Sequence, residues 1–258
     1  MQIGLIGAGN MARAMARGWG RPVVCSDSGS GRAKALVAEL GGKVCASNLE
    51  VAQTADLVVL CHKPYQLDAV ASQIAETGKP IASVLGATST ATLQAAYPDS
   101  QVFALMPNTP VEIKRGIVVY AERASDAAHP LNAEVEAQVL ELFRELGTVV
   151  TVPEKLMGAA TSVSGVGPAY QALLAEAQVD AAVRYGLPGK LAAELVVETM
   201  AGSAALIAHK GYDTLEVRRE VTSPGGSTAR GLAALEAAGI RAAFQDAIEA
   251  VSNPAAPR

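Results

Sequence analysis

The sequence predicts an α/β protein: an N-terminal Rossmann-like, doubly wound sheet over residues 1–152, then an all-α C-terminal region over 153–258. Three observations predict it. An apolar strand at residues 2–6 runs through a glycine-rich turn straight into a helix. Strand-like and helical segments then alternate up to about residue 152, the pattern of βαβ units around a parallel sheet. After Pro153 no strand-like stretch remains and helical segments follow one another.

The first helix suits residues 11–18, with Ala12, Met15 and Ala16 on one face. Between strand and helix, Gly7-Ala8-Gly9-Asn10-Met11-Ala12 has G-x-G-x-x-A spacing. The first glycine permits the tight turn, the second lets the backbone approach a pyrophosphate, and the small Ala12 lets the helix close on the strand. The free N–H groups and positive dipole end of the helix then suit phosphates, so residues 1–152 read as a dinucleotide-binding domain. Residues 22–26 form the second strand, and Asp27 follows it. A carboxylate there can accept a hydrogen bond from a ribose 2′-hydroxyl, which favours NADH. Ser26, Ser28, Ser30 and Arg32 in the same turn suit the 2′-phosphate of NADPH instead, and as a plain turn residue Asp27 would cap the next helix.

Residues 44–46 give a third strand, Asn48 opens a short helix to Gln53, and 56–61 form a fourth strand apolar enough for a buried parallel position. Residues 80–85, 101–105, 116–120 and 148–152 supply the remaining strands, and 133–146 the clearest helix between them. In the second region, residues 168–185 begin with a proline and stop at Gly186, and a helix from Pro188 runs to His209 and stops near Gly211. Leu191, Leu195, Val196, Val197, Met200, Ala204, Leu206 and Ile207 make that helix apolar nearly all round. It needs cover on every side, and in so small a region part of the cover is expected from another subunit. Residues 253–258 read as disordered.

Composition excludes several classes. A chain of 258 residues with 50% apolar side chains can bury one large core or two modest ones. A net charge of −4 and the lack of a basic patch give no reason to expect nucleic acid or an anionic membrane as partner. The strand at residue 2 leaves no room for a signal or transit peptide. No uninterrupted apolar run reaches the ~18 residues that span a bilayer. Cys25, Cys45 and Cys61 lack C-x-x-C spacing and lie in strand-like segments, as expected of buried thiols in a reducing cytoplasm. With no H-E-x-x-H, G-x-S-x-G or His/Cys cluster, metal-dependent and serine-hydrolase chemistry are not expected. His129 suits a turn and His209 a helix end, both surface positions.

Three later segments are candidates for chemistry. Leu60-Cys61-His62-Lys63-Pro64 lies where the fourth strand runs out, the edge at which ligands of open α/β sheets bind. His62 and Lys63 there can face a ribose or phosphates, or form a solvated turn. Met106-Pro107-Asn108-Thr109-Pro110 can fix a rigid loop beside the nicotinamide, or serve only as a stiff connection. Thr222-Ser223-Pro224-Gly225-Gly226-Ser227-Thr228 precedes a helix over 229–238. Glycines and hydroxyls at a helix N-terminus can hold a carboxylate, or Ser227 or Thr228 can be a plain cap.

G-A-G-N-M-A, H-K-P, M-P-N-T-P, S-G-V-G-P-A-Y (Ser164 to Tyr170) and T-S-P-G-G-S-T, in this order, resemble the pyrroline-5-carboxylate reductase family over nearly the whole chain. The resemblance implies reduction of the cyclic imine Δ1-pyrroline-5-carboxylate to L-proline with NAD(P)H, usually NADPH, in the cytoplasm. It also implies a homodimer, or a ring of dimers, held by the C-terminal helical region, so 153–258 becomes a substrate-binding and dimerisation domain. By the same resemblance, Gly7, Ala8, Gly9, Asn10, Met11, Asn48, Cys61, His62, Lys63 and Pro64 match cofactor contacts, beside Ser26 and Asp27 from the turn. Ser223, Gly226, Ser227 and Thr228 match the loop for the substrate carboxylate and ring nitrogen, with Thr228 in the catalytic role, and Glu154 matches a position near the substrate. The chain departs from the family pattern at Val166, a serine there, at His62, a small apolar residue, at Leu85-Gly86-Ala87, usually A-A-G, and at Glu220, an Asn in some relatives.

A protonated cyclic imine is already an electrophile, so the site must supply proximity, a carboxylate anchor and a hydroxyl near the ring nitrogen, with little acid–base work. The alternatives are a reductase of a related cyclic imine or a β-hydroxyacid dehydrogenase. The latter resembles this chain in its domain order but uses a Lys and an Asn four residues apart in the second domain. After residue 150 the lysines are Lys155, Lys190 and Lys210 and the asparagine is Asn253, so that pair cannot be built. A dinucleotide-sensing protein without turnover is the reading from another class.

Overall fold

The computed structural model describes residues 1–122 and 131–252. His129 and the tail at 253–258 therefore lie outside the described residues. The chain divides into two compact units, Met1–Pro168 and Ala169–Arg258.

In the first unit eight strands form one sheet: β1 (Ile3–Ile6), β2 (Val23–Ser26), β3 (Gly42–Val44), β4 (Leu57–Leu60), β5 (Ile81–Ser83), β6 (Val102–Pro107), β7 (Gly116–Glu122) and β8 (Gly147–Pro153). Their order is β3-β2-β1-β4-β5-β6-β7-β8. The first six are mutually parallel. β7 turns back antiparallel to β6, and β8 runs parallel to β7. The physical reason is length: β6 and β7 are joined by a short 3-10 turn, Thr109–Ile113, whereas a parallel partner needs a crossover of a dozen or more residues.

Each strand expected from the sequence is present, with one shifted. β3 occupies Gly42–Val44 where 44–46 was expected. Gly41-Gly42 reads as a turn by propensity, yet a side chain at Gly42 would collide with the backbone of Val23, so glycine is what lets β3 pair there.

Helices α1 (Asn10–Trp19), α2 (Arg32–Leu40), α3 (Asn48–Thr54), α4 (Leu67–Ile74), α5 (Thr90–Ala96) and α6 (Ala133–Arg144) alternate with the strands. Alternation along the strands divides the core between two clusters: Ile3 and Leu5 belong to one, Ile6 to the other. In the first, the Trp19 indole N–H donates to the Leu142 carbonyl at 2.9 Å and its ring meets Phe143 edge-on at 5.6 Å. The last strand ends at Pro153, near the boundary drawn from the sequence at 152/153. The unit itself continues through α7 (Met157–Ser164), which packs against β7 and lays Met157 on the second cluster.

The second unit is helical: α8 (Gly167–Arg184), whose first turn begins at the unit boundary, α9 (Gly189–His209), α10 (Thr214–Glu220), α11 (Ser227–Ala237) and α12 (Ile240–Ser252). Among its described residues only Ala192 is buried. Leu195 is 50% exposed and Val197 53%, so α9 lacks the cover its composition demands. Its length and mean hydropathy of 1.6 would also suit a membrane span, although Glu194 and Glu198 interrupt the apolar run.

Gly18 lies inside α1, where alanine would ordinarily favour the helix by about 1 kcal/mol. A Cβ there would stand 2.2 Å from the Val111 carbonyl oxygen and 2.7 Å from Leu146 Cδ2. Overpacking against backbone outweighs propensity, so Gly18→Ala should destabilise the protein by about 1–3 kcal/mol in urea unfolding. An unchanged midpoint would show that the contact yields freely.

Candidate active site

β1 lies between β2 and β4, where the strand order reverses, and the crevice outside the carboxyl ends of these strands is the place for a dinucleotide. A cleft of about 370 Å³ opens there. Of the residues singled out from the sequence, Gly7, Ala8, Gly9, Asp27, Asn48, Cys61, His62 and Lys63 line it, together with Ser28, Ser30 and Arg32. Gly7 holds φ at +97°, and a Cβ on it would sit 2.8 Å from the Cys61 carbonyl carbon. Gly9 is the N-cap of α1 with no side-chain cap, and the first backbone bond of the helix is Arg13 N–H to Gly9 O at 3.0 Å. The amides of Asn10, Met11 and Ala12 are therefore outside the helical ladder, and nothing stands within 4 Å of where a Gly9 side chain would be. The arrangement fits a pyrophosphate by bare donors, dipole and open space together.

Asn10, Met11, Ser26 and Pro64 do not line the cleft. Asn10 and Met11 form the first turn of α1, and Met11 packs on the core. Ser26 is buried, and its hydroxyl donates to Asn48 Oδ1 at 2.6 Å, while Asn48 Nδ2 donates to Gln73 Oε1 at 2.9 Å. Ser26 and Gln73 thus orient Asn48 on the cleft wall. Pro64 opens the 3-10 turn Pro64–Gln66, and Gln66 Oε1 accepts from Lys63 N–H at 3.0 Å. Gln66 and Val70 also line the cleft. Sequence reasoning missed both, since no motif marks Gln66, about one turn after Lys63, or Val70, about two turns after it.

Asp27 is held by its own turn. Oδ1 accepts from Gly29 N–H at 2.8 Å, and Oδ2 accepts from Ala33 N–H at 2.8 Å and the Ser30 hydroxyl at 2.9 Å. The Ala33 amide bond leads the causes that lower its pKa below 3.8. Gly31, the N-cap of α2, offers no side chain, so Asp27 takes over the capping. Cys25 and Cys45 are buried as expected, but Cys61 is only half-buried on the cleft wall, where desolvation pushes its thiol pKa up. His62 Nδ1 lies 2.9 Å from the Lys63 carbonyl, which can only accept, so Nδ1 carries the proton. Its Nε2 is buried with no partner, and burial lowers the pKa, favouring the neutral ring.

The second candidate lies wholly within the helical unit. Gly226, not Ser227 or Thr228, is the N-cap of α11, with no side-chain cap. The first backbone bond runs from Arg230 N–H to Gly226 O at 3.2 Å, leaving the amides of Ser227, Thr228 and Ala229 outside the ladder. Ser223, Ser227 and Thr228 are exposed. The turn before them is fixed by Gly226 N–H to Ser223 O at 3.1 Å, and a Cβ on Gly226 would meet Ser223 Oγ. Glu220 pairs with Lys210 at 2.6 Å, so its carboxylate is directed at a cation of its own unit.

Glu154 accepts from Thr90 at two points, N–H to Oε1 and hydroxyl to Oε2, both at 2.5 Å. Asn108 is a rivet: its Oδ1 accepts from Ile117 N–H at 2.9 Å and its Nδ2 donates to Ser164 O at 3.1 Å. This bonding makes the 106–110 segment rigid, as both of the roles open to it require. No cluster of His, Cys, Asp and Glu that could hold a metal occurs among the described residues.

Comparison with known proteins agrees with this geometry. Residues 154–256 match the family described as pyrroline-5-carboxylate reductase dimerisation, and residues 2–86 match NADP oxidoreductase, coenzyme F420-dependent. The pyrroline-5-carboxylate reductase of Synechocystis is 35% identical over 97% of this chain and 95% of its own length. The solved 1-pyrroline-5-carboxylate reductase of Streptococcus pyogenes superposes with a TM-score of 0.86 at 28% identity, covering 98% of this chain and 97% of its own. The pyrroline carboxylate reductase of Plasmodium falciparum, solved with NADP bound, gives 0.84 at 26% identity, covering 98% and 96%.

Because Asp27 is tied into its turn, Asp27→Ser should cost about 1 kcal/mol of stability, the scale of a lost cap. The ratio of NADH to NADPH affinities should change by less than about twofold. The depressed pKa means that Asp27 stabilises the fold above its ordinary 3.8 and that this contribution disappears as pH falls through the lower folded value. The variant should therefore lose less stability than wild type between pH 5 and acid. Selective loss of NADH binding would show instead that the carboxylate reaches a ribose.

Proposed function

We propose a function from one premise: the chain belongs to the pyrroline-5-carboxylate reductase family. It reduces the imine of Δ1-pyrroline-5-carboxylate to L-proline with NADPH, a step of proline biosynthesis, and works as a homodimer in the cytoplasm, where its three free thiols stay reduced. The observation that carries this reading is that α1 and α11 both begin on a bare glycine cap. One set of unpaired amides suits a pyrophosphate, the other a carboxylate.

NADPH, when bound, supplies the hydride. Gly7, Ala8, Gly9 and the first amides of α1 hold the pyrophosphate, with Asn48, Cys61, His62 and Lys63 forming the opposite wall. Arg32 and Ser28 face the same cleft and suit a 2′-phosphate, which supports NADPH. In the second unit, the amides at Ser227 and the Ser223 and Gly226 turn hold the substrate carboxylate. The Thr228 hydroxyl hydrogen-bonds near the ring nitrogen. A protonated imine accepts hydride directly, so no side chain has to move a proton before that step.

The dimer follows from the missing core. A helical unit with only Ala192 buried among its described residues cannot offset its ordering entropy alone, and a second copy of the same apolar faces supplies the cover.

Thr228→Ala should lower kcat by about 10- to 100-fold, at ~1.4 kcal/mol per tenfold, with an unchanged Kd for NADPH. Thr228→Ser should recover most of the rate. Since Thr228 is not the cap of α11, the melting temperature should stay the same. A fall in melting temperature with normal kcat would reverse the assignment.

Leu195→Glu places a charge on the exposed apolar face of α9, and light scattering on the full chain should then show monomer where wild type is dimeric. A monomeric wild type at micromolar concentration would refute the shared core.

A further inference from the structure

The loop between β5 and α5 sits at the carboxyl edge of the sheet, on the β4-β5-β6 side, which in a fold of this strand order takes the second mononucleotide half of the cofactor. Ala87 in this loop holds φ at +56°, a left-handed conformation unfavourable for a residue with a side chain. Such strain persists only where the surroundings over-determine it. Here they act from both ends. On the β5 side, Leu85 N–H donates to Ser83 Oγ at 3.3 Å, and Ser83 is buried. On the α5 side, Glu154 receives both the N–H and the hydroxyl of Thr90, a residue 64 positions away.

This grip is not needed to start α5. Ser89 already caps that helix by accepting from Thr92 N–H at 3.0 Å. What Glu154 adds is a charge-assisted tie from the end of β8 to the loop. We propose that Glu154 is a positioning residue of the reduction: through Thr90, its carboxylate holds the 85–89 loop in place beside the nicotinamide half of the crevice. The proposal rests on the reductase reading above. Each carboxylate oxygen of Glu154 receives one hydrogen bond from Thr90, and this pairing is the contact through which the residue acts.

The test measures kcat, KM for pyrroline-5-carboxylate, Kd for NADPH and pH profiles for Glu154→Gln and Glu154→Ala in the full chain. Glutamine keeps an oxygen for the Thr90 N–H and offers its amide to the hydroxyl oxygen. It should retain kcat within about threefold, while alanine loses about tenfold or more, the cost of a slightly misplaced reacting geometry. Neither variant should change the pH profile, and Kd for NADPH should hold. Two results overturn the proposal: glutamine as damaged as alanine, or with an altered pH profile, means that the carboxylate meets the substrate, and full activity in alanine means that the tie is idle. Should the alanine variant not fold, Thr90→Val, which removes only the hydroxyl, must still lower kcat, and normal turnover there overturns the idea. If wild type does not turn over pyrroline-5-carboxylate, the functional reading fails by itself. Exchange of the Thr90 amide then decides the tie: slow in wild type and Glu154→Gln but fast in Glu154→Ala supports it, and equal rates in wild type and Glu154→Ala refute it.

Discussion

The close approach of Gly7 to the Cys61–His62 peptide is the constraint on which the first unit turns. β1 is sandwiched in register between β2 and β4, so the turns leaving β1 and β4 emerge side by side. Only a residue without a Cβ, at positive φ, lets them touch. From that contact follow the direction in which α1 departs, the bare amides of its first turn, and the wall of Cys61, His62 and Lys63 opposite them. A cofactor cleft results from backbone geometry before any side chain is chosen to line it.

Side chains then do supporting work one layer back. Ser26 and Gln73 orient Asn48, Gln66 fixes the Lys63 amide, and Asn108 joins β7 to the end of α7. Asp27 closes the turn before α2. Each of these polar groups pairs with a backbone or side-chain partner, and the net effect is a hydrogen-bonded rim around an open crevice. The helical unit is organised differently. Its apolar residues are spread round the helices and remain exposed in the single chain.

The strand alternation, the glycine turn and the all-helical second half were legible because each has a local signature: period-two or continuous apolar runs, fixed glycine spacing, and helix stops at Gly186 and Gly211. β3 was misplaced by two residues because Gly41-Gly42 signals a turn, while a long-range demand for close pairing with Val23 made it a strand. The reversal of β7 was implicit in the short connection after Pro107, but strand direction leaves no mark on composition. The environments of Asp27 and Glu154 were not legible. A carboxylate looks the same in sequence whether it faces a ribose, a substrate or a neighbouring amide.

The sequence by itself determined the fold class and the place of the cofactor turn, because those rest on spacing along the chain, and its ordered motifs carried the resemblance to the family. Tertiary structure alone decided which polar atoms are free to meet a ligand. Gly226 rather than Ser227 or Thr228 caps α11, whereas Asp27 accepts from the amides of its own turn and Glu154 from Thr90. The physical reason is that hydrogen-bond commitment depends on partners brought from elsewhere in the chain. Thr90 and Glu154 are 64 residues apart, and no local pattern records their meeting.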